Sequence, residues 1–170
     1  TISVTTLERQ LARRMEPRSA TPERRLETIA ALSAAGVPTG VLSAPMIPAL
    51  NDSEMEQILE RAREAGATSA GYTLLRLPLE LKGLFREWLE EHFPDKAGHV
   101  LSLVAQTHGG RLYDSAWSAR MTGTGPYADM LRMRFDRTCR RLGFSPRSTQ
   151  PLNTTAFRVP PQKGDQLVLF

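Results

Sequence analysis

The chain has 170 residues, of which 41% are hydrophobic and 24% are charged, a composition typical of a water-soluble domain with a sizeable core. No apolar run approaches the roughly 18 residues of a membrane-spanning helix, and the first residues show neither an initiator Met nor a signal-peptide pattern. We therefore expect no membrane partner, and a chain cut from a longer protein. The single cysteine, Cys139, excludes an internal disulfide framework and a multi-cysteine metal site, and it makes a reducing, cytoplasmic setting the expectation.

Positive charge is concentrated in the last third of the chain. Residues 1–110 carry 12 basic and 14 acidic side chains, net −2, whereas residues 111–148 carry eight arginines and three aspartates, net +5. The remaining residues add +1, which gives the overall net charge of +4. Arginine suits contacts with phosphate groups, so this segment is compatible with a DNA partner. A solvated surface is the alternative.

The first 92 residues alternate between strand and helix patterns. Strands are predicted at 1–6, 39–47 and 68–77, and amphipathic helices follow at 21–36, 51–66 and 81–92. Thr21-Pro22 and Asn51 carry helix-start signals. Pro45 is expected to end the second strand, because proline cannot donate a hydrogen bond to a central sheet ladder. Three successive strand–helix units predict an α/β fold with right-handed crossovers and a parallel sheet.

The pattern changes after residue 94. A helix is predicted at 95–107, a turn-rich loop at 109–123, and a long helix at 126–142 with Cys139 on its apolar face. Residues 145–165 have many Pro, Ser, Thr and Gln and little periodicity, so we expect an extended tail.

Several short motifs stand in a fixed order near the start of the chain. They are a strand with the polar residue Ser3, the turn Glu16-Pro17, a helix with Arg25, the turn Ala35-Gly36 and the strand end Ala44-Pro45-Met46-Ile47. This order resembles that of the spore-photolyase-like radical S-adenosylmethionine (radical SAM) proteins, a group often labelled DNA repair photolyases. Residues 80–127 strengthen the resemblance to a bacterial branch of that group, so it covers nearly the whole chain.

The resemblance implies the C-terminal half of a partial (β/α)6 TIM-type barrel, followed by C-terminal helices and an extended tail. Residues 1–94 would be the last βα units, 95–144 a helical extension and 145–170 a flexible tail. In the family, three cysteines of a CxxxCxxC loop after the first strand hold a [4Fe–4S] cluster, which cleaves SAM reductively to a 5′-deoxyadenosyl radical. With Cys139 alone, this chain cannot hold such a cluster. Its ligands are expected upstream, and the chain by itself is expected to be inactive.

The resemblance also indicates cofactor-binding residues at the carboxyl ends of the strands, where α/β barrels bind their ligands. Ser3 and Thr5 are candidates for hydrogen bonds to the SAM ribose, and Ala44 matches a position where the family lays small side chains against the adenine. A satisfied strand hydroxyl is the alternative for Ser3. Arg25 with Glu16 is interpreted as a structural ion pair, with contact to SAM as the alternative.

Four residues are candidates for substrate binding. Alternation along the third strand places Tyr72, Leu74 and Arg76 on one face, where the arginine could bind a phosphate or carboxylate. The alternative is that Arg76 lies beside Glu80 at the solvent-exposed end of the strand. Gly123 and Gly125 open a helix whose free N–H groups attract anions, with Arg120 nearby. These glycines also suit an ordinary helix start.

The last five residues, Gln-Leu-Val-Leu-Phe, resemble the pentapeptide with which bacterial replication and repair proteins bind the sliding clamp. Gln166, Leu167, Leu169 and Phe170 would fill the clamp pocket as an extended peptide. A final strand packed on the domain is the alternative. The leading hypothesis is thus a lyase-like radical SAM enzyme that acts on DNA in repair. The alternatives are a radical SAM enzyme that modifies a peptide or RNA, and a non-enzymatic adaptor of the clamp.

Overall fold

The computed structural model describes residues 1–113, 115, 120–144, 155 and 157–160. Its strands are β1 (Ile2–Val4), β2 (Gly40–Met46) and β3 (Ser69–Leu74), and a short 3-10 turn spans Asp52–Glu54. The helices are α1 (Arg9–Met15), α2 (Pro22–Ala34), α3 (Met55–Glu64), α4 (Leu81–His92), α5 (Pro94–Gln106) and α6 (Pro126–Leu142). In this part of the chain, no helix is both long enough and apolar enough to cross a membrane.

The three strands form one parallel sheet in the order β1-β2-β3. Ser3 lies opposite Leu42, and Leu42 lies opposite Gly71. The α/β class and the parallel sheet are confirmed. The sheet is consistent with part of a barrel, whereas the (β/α)6 count stays a prediction.

The larger core lies on one face of this sheet. It contains Val4, Val41, Tyr72 and Leu74 from the strands together with buried residues of α2, α3 and α6. The helix-start signal at Thr21 is confirmed, since its hydroxyl accepts a hydrogen bond from the Arg24 N–H and Pro22 opens α2. On the opposite face, Ser3 and Leu42 are only half-buried.

The third helix on this face of the sheet is α6, although α4 is the helix that directly follows β3 along the chain. Phe135 of α6 packs on Tyr72 of β3 with ring centroids 4.8 Å apart. Two ion pairs, Arg134–Glu56 and Arg141–Glu60, align α6 parallel to α3. The helices α4 and α5 instead contact each other and form a second core with Ile47, Leu75 and Leu77, which follow the strand ends. The domain boundaries at 94 and 144 stay predictions.

Two strand ends differ from expectation. Strand β2 continues through Pro45 to Met46, and its register with β3 is irregular between Ser43 and Met46, so the missing proline N–H falls where the ladder is already interrupted. The Ala44–Pro45 peptide bond is cis. Strand β3 ends at Leu74, three residues earlier than predicted, because its continuation packs against α4 and α5.

Candidate functional site

The carboxyl ends of β1 and β2 are joined by side-chain hydrogen bonds. Thr5 is 3% exposed, and its hydroxyl oxygen lies 3.0 Å from both Glu16 Oε2 and the Ala44 carbonyl oxygen, either of which can accept its proton. Ser3 precedes Thr5 by two residues and is half-buried. The structure therefore brings together the three predicted cofactor-binding residues, whereas their role in binding SAM stays a prediction.

Asn51 ties the same two strand ends together, which the sequence did not indicate. Its fully buried amide accepts a hydrogen bond from the Ile47 N–H at 2.7 Å and donates to the carbonyls of Thr5 and Pro45 at 2.7 and 2.9 Å. The helix start predicted at 51–54 is confirmed, since Asn51 is the N-cap residue of the 3-10 turn that leads into α3, but its side chain makes no cap hydrogen bond. Its bonds instead satisfy backbone groups at the irregular end of β2, where the ladder cannot.

Arg25 holds the segment after β1 against α2. Its Nη2 lies 2.9 Å from Glu16 Oε2, its Nη1 donates to the Ser3 carbonyl and its Nε donates to the Ala20 carbonyl, both at 3.0 Å. The predicted ion pair between Arg25 and Glu16 is confirmed. A guanidinium has five N–H groups, so two remain for a further acceptor.

A cavity of about 500 Å³ opens beside this network. It lies between the end of β1, α1, the 16–21 segment and the start of α2. Thr5, Glu16 and the cationic side chains of Arg9, Arg13 and Arg25 line it. The sequence did not reveal this cavity, because α1 was not predicted. That helix has seven residues and buries only Leu11, and it follows the N-cap residue Glu8, whose carboxylate accepts hydrogen bonds from the N–H groups of Gln10 and Leu11.

Arg76 lies beyond the end of β3, so the prediction that it shares a strand face with Tyr72 and Leu74 is wrong. Both of those residues are buried in the larger core. The Arg76 guanidinium instead lies 3.4 Å from Tyr113 Oη and 3.6 Å from Met121 Sδ. It forms no ion pair with Glu80, the alternative partner considered from the sequence.

The glycines before α6 have structural reasons for their identity. Gly123 has φ +71, and a Cβ there would lie 2.7 Å from Leu74 Cδ1 and 2.8 Å from the Thr107 carbonyl oxygen. Gly125 has φ +90 and lies at the N-cap of α6 against the carboxyl end of α5. Substrate binding by Gly123, Gly125 and the half-buried Arg120 stays a prediction. The clamp-like residues Gln166, Leu167, Leu169 and Phe170 lie outside the described residues.

Acidic groups around α3 and α6 compensate several arginines of α6. Arg134 binds both Glu56 carboxylate oxygens at 2.7 Å, which lowers the pKa of Glu56. Arg141 pairs with Glu60. Tyr127 donates a 2.7 Å hydrogen bond to Asp52, and burial together with this bond raises the pKa of Tyr127 to about 12. Part of the positive charge found in the sequence therefore docks α6 onto the α3 region.

Cys139 does not fit the role of a cluster ligand. It lies on α6, half-buried against the larger core, and burial raises the pKa of its thiol to about 11. A metal ligand must be the thiolate, and a [4Fe–4S] cluster takes several. Among the residues that the structure describes, no group of three His, Cys, Asp or Glu side chains could hold a metal ion.

Comparisons with known proteins find similarity in the part of the chain that contains β1, β2 and the cavity. Residues 1–62 match the family model described as the radical SAM superfamily. The chain is 36% identical over 88 residues to uncharacterized proteins from two strains of Mycobacterium tuberculosis and from Mycobacterium bovis. The alignment covers 51% of this chain and 26% of each relative, so the matched part spans about a quarter of their length. No solved structure matches the chain.

Proposed function

We propose that this chain is the SAM-binding part of a radical SAM enzyme. One observation carries the proposal: the segment that matches the superfamily, residues 1–62, contains the joined ends of β1 and β2 and every residue that lines the cavity. Ligands of parallel α/β folds bind at this end of the sheet.

The residues present fit the parts of SAM. Ser3 offers a hydroxyl to the ribose, and Ala44 has a side chain small enough for the adenine to approach the backbone. The two remaining N–H groups of Arg25, with Arg13 nearby, would attract the carboxylate of the methionine moiety. Glu16 and Thr5 line the cavity and bond Arg25 and the Ala44 carbonyl, so this wall is fixed before the cofactor arrives, whereas Ser3 and Ala44 themselves lie outside the cavity lining.

The residues do not fit the iron–sulfur cluster that the superfamily implies. Cys139 faces the core on the helix-covered side of the sheet, so we propose that the cluster ligands lie outside residues 1–170. When it is bound beside such a cluster, SAM supplies a 5′-deoxyadenosyl radical. The contribution of this chain is to hold and orient SAM.

Binding of radiolabelled SAM, measured by equilibrium dialysis, tests the proposal. We expect Ser3→Ala to weaken binding about two- to tenfold, the worth of one neutral hydrogen bond. Ala44→Leu should weaken it more, since it fills the space for the adenine. Ser102→Ala is the matched control, because Ser102 is exposed on α5. Unchanged affinity in both site variants, with their folding verified by circular dichroism, would contradict the assignment.

We further propose that the enzyme acts on DNA, in a repair reaction of the spore-photolyase type. The arginine-rich segment 111–148 and the clamp-like residues 166–170 support this substrate, while the pairing of Arg134 and Arg141 with acids reduces the charge available to it. DNA binding should weaken steeply as salt is raised, because phosphate contacts release counterions. Weak binding without salt dependence would favour a peptide or another substrate.

The clamp hypothesis has a separate test. Deletion of residues 166–170 should abolish binding to purified bacterial sliding clamp without changing the thermal unfolding of the protein. Leu167→Ala with Phe170→Ala should do the same. Clamp binding that survives both changes would eliminate residues 166–170 as the binding motif, whereas an unsubstituted protein that does not bind the clamp would eliminate the adaptor alternative.

A further inference from the structure

The carboxyl end of β3 carries a half-buried cation whose contacts within the described part of the chain are with neutral groups. Arg76 contacts the Tyr113 hydroxyl at 3.4 Å and Met121 Sδ at 3.6 Å, and its guanidinium carbon lies 6.0 Å from the centre of the Tyr113 ring. Its Nε is buried and has no hydrogen-bond partner among the residues that the structure describes. Within the described ranges, no carboxylate forms an ion pair with it.

Two other half-buried arginines, Arg25 and Arg134, show how such a charge is compensated in this protein. Arg25 has Glu16 and two carbonyl acceptors, and Arg134 has both oxygens of Glu56. Partial burial of an arginine costs solvation, and a carboxylate normally offsets that cost. The hydroxyl and ring of Tyr113 and the thioether of Met121 offset the solvation cost of Arg76 less than an anion would. Arg76 is therefore arranged to receive an anion that the described part of the chain does not supply.

Arg76 lies at the same end of the sheet as the proposed cofactor site. The Leu75 N–H donates to the Met46 carbonyl at 2.9 Å, which fixes the segment after β3 beside the end of β2. The Leu74 N–H donates to the Met121 carbonyl at 2.8 Å, which brings the loop before α6 alongside. Met121 is 40% exposed and Tyr113 is half-buried, so both are accessible to a ligand.

We propose that Arg76 binds a phosphate group of the substrate and that Tyr113 and Met121 contact the nucleoside attached to it. A planar guanidinium binds phosphate through paired N–H groups, and aromatic side chains stack on bases. The ring and the thioether beside the cation favour a nucleotide over a carboxylate-bearing peptide. The inference rests on the proposed function, because it assigns a substrate contact at the same end of the sheet as the proposed cofactor site.

The test measures, by calorimetry on the full-length protein, the binding affinities of three probes. They are thymidine 5′-monophosphate, thymidine and succinate. Arg76→Gln should weaken binding of the monophosphate at least tenfold, since hydrogen bonds to charged groups are the stronger ones. Arg76→Lys keeps the positive charge but loses the paired N–H groups of the guanidinium, so its affinity for the monophosphate should lie between those of the unsubstituted protein and Arg76→Gln. Arg86→Gln is the control, because Arg86 is exposed on α4.

Preference of the unsubstituted protein for the monophosphate over thymidine, lost in Arg76→Gln and kept in Arg86→Gln, would support the proposal. Equal losses in the two variants, or a stronger effect of Arg76→Gln on succinate than on the monophosphate, would overturn it. SAM binding is measured on the same samples. Retention of SAM binding without an Arg76-dependent phosphate site refutes this inference alone, whereas loss of SAM binding in the unsubstituted protein refutes the proposed function.

Discussion

Replacement of Asn51 by Ala is expected to destabilise the fold more than any surface substitution, since it removes hydrogen bonds that, together with the Thr5 hydroxyl, join the ends of β1 and β2 at the proposed site. The amide is fully buried and makes three hydrogen bonds of 2.7 to 2.9 Å to backbone groups of Ile47, Thr5 and Pro45. Each buried group left without a partner costs about 1–3 kcal/mol, so with partial relaxation we expect a loss of about 3–5 kcal/mol.

Urea unfolding followed by circular dichroism measures this loss. Asn51→Asp is nearly isosteric but places a carboxylate oxygen against two carbonyls, so at neutral pH it should cost at least as much as Asn51→Ala. Gln57→Ala, on the exposed side of α3, is the matched amide control and should change the free energy of unfolding by less than about 0.5 kcal/mol. If Asn51→Ala cost no more than Gln57→Ala, the account of how the strand ends are held would be refuted.

Two further predictions concern the turn after β2 and the docking of α6. Ala49 has φ +60, a left-handed conformation that strains a residue with a side chain. Ala49→Gly should therefore raise the free energy of unfolding, measured by thermal melting, by about 0.5–1 kcal/mol. Ala30→Gly, on the exposed side of α2, should lower it by about 1 kcal/mol. A loss in both variants would contradict the strain at Ala49. The pKa of Tyr127 is raised to about 12 from an ordinary value of 10.0, so the folded state holds the phenol proton more tightly than the unfolded state does. The stabilisation from this difference is complete below about pH 10 and is lost as the pH rises towards 12. Tyr127→Phe should flatten the fall in stability over that range, and an unchanged pH profile would refute the contribution of this group.

The sequence alone predicted the start of α2, the parallel sheet and one ion pair. Thr21 and Pro22 begin α2 as predicted, because a cap hydroxyl and a proline at the first helical position act within one turn. Alternating strand and helix patterns predicted the parallel sheet, since the crossover rule restricts how such units connect. The Arg25–Glu16 pair could be anticipated because both residues belong to one ordered set of motifs.

Tertiary structure alone decided which helix covers β3 and what Asn51 does. The apolar residues of α4 and α6 have similar spacing, and an amphipathic pattern does not specify the surface on which its apolar face packs. The sequence therefore could not distinguish the helix that covers β3 from the helix that packs on α5. Asn51 carries a helix-start signal, yet its amide bonds the carbonyl of Thr5, 46 residues away, because the irregular end of β2 leaves backbone groups that need partners. Propensity acts over a few neighbouring residues, whereas the hydrogen bonds that complete this site join segments that only folding brings together.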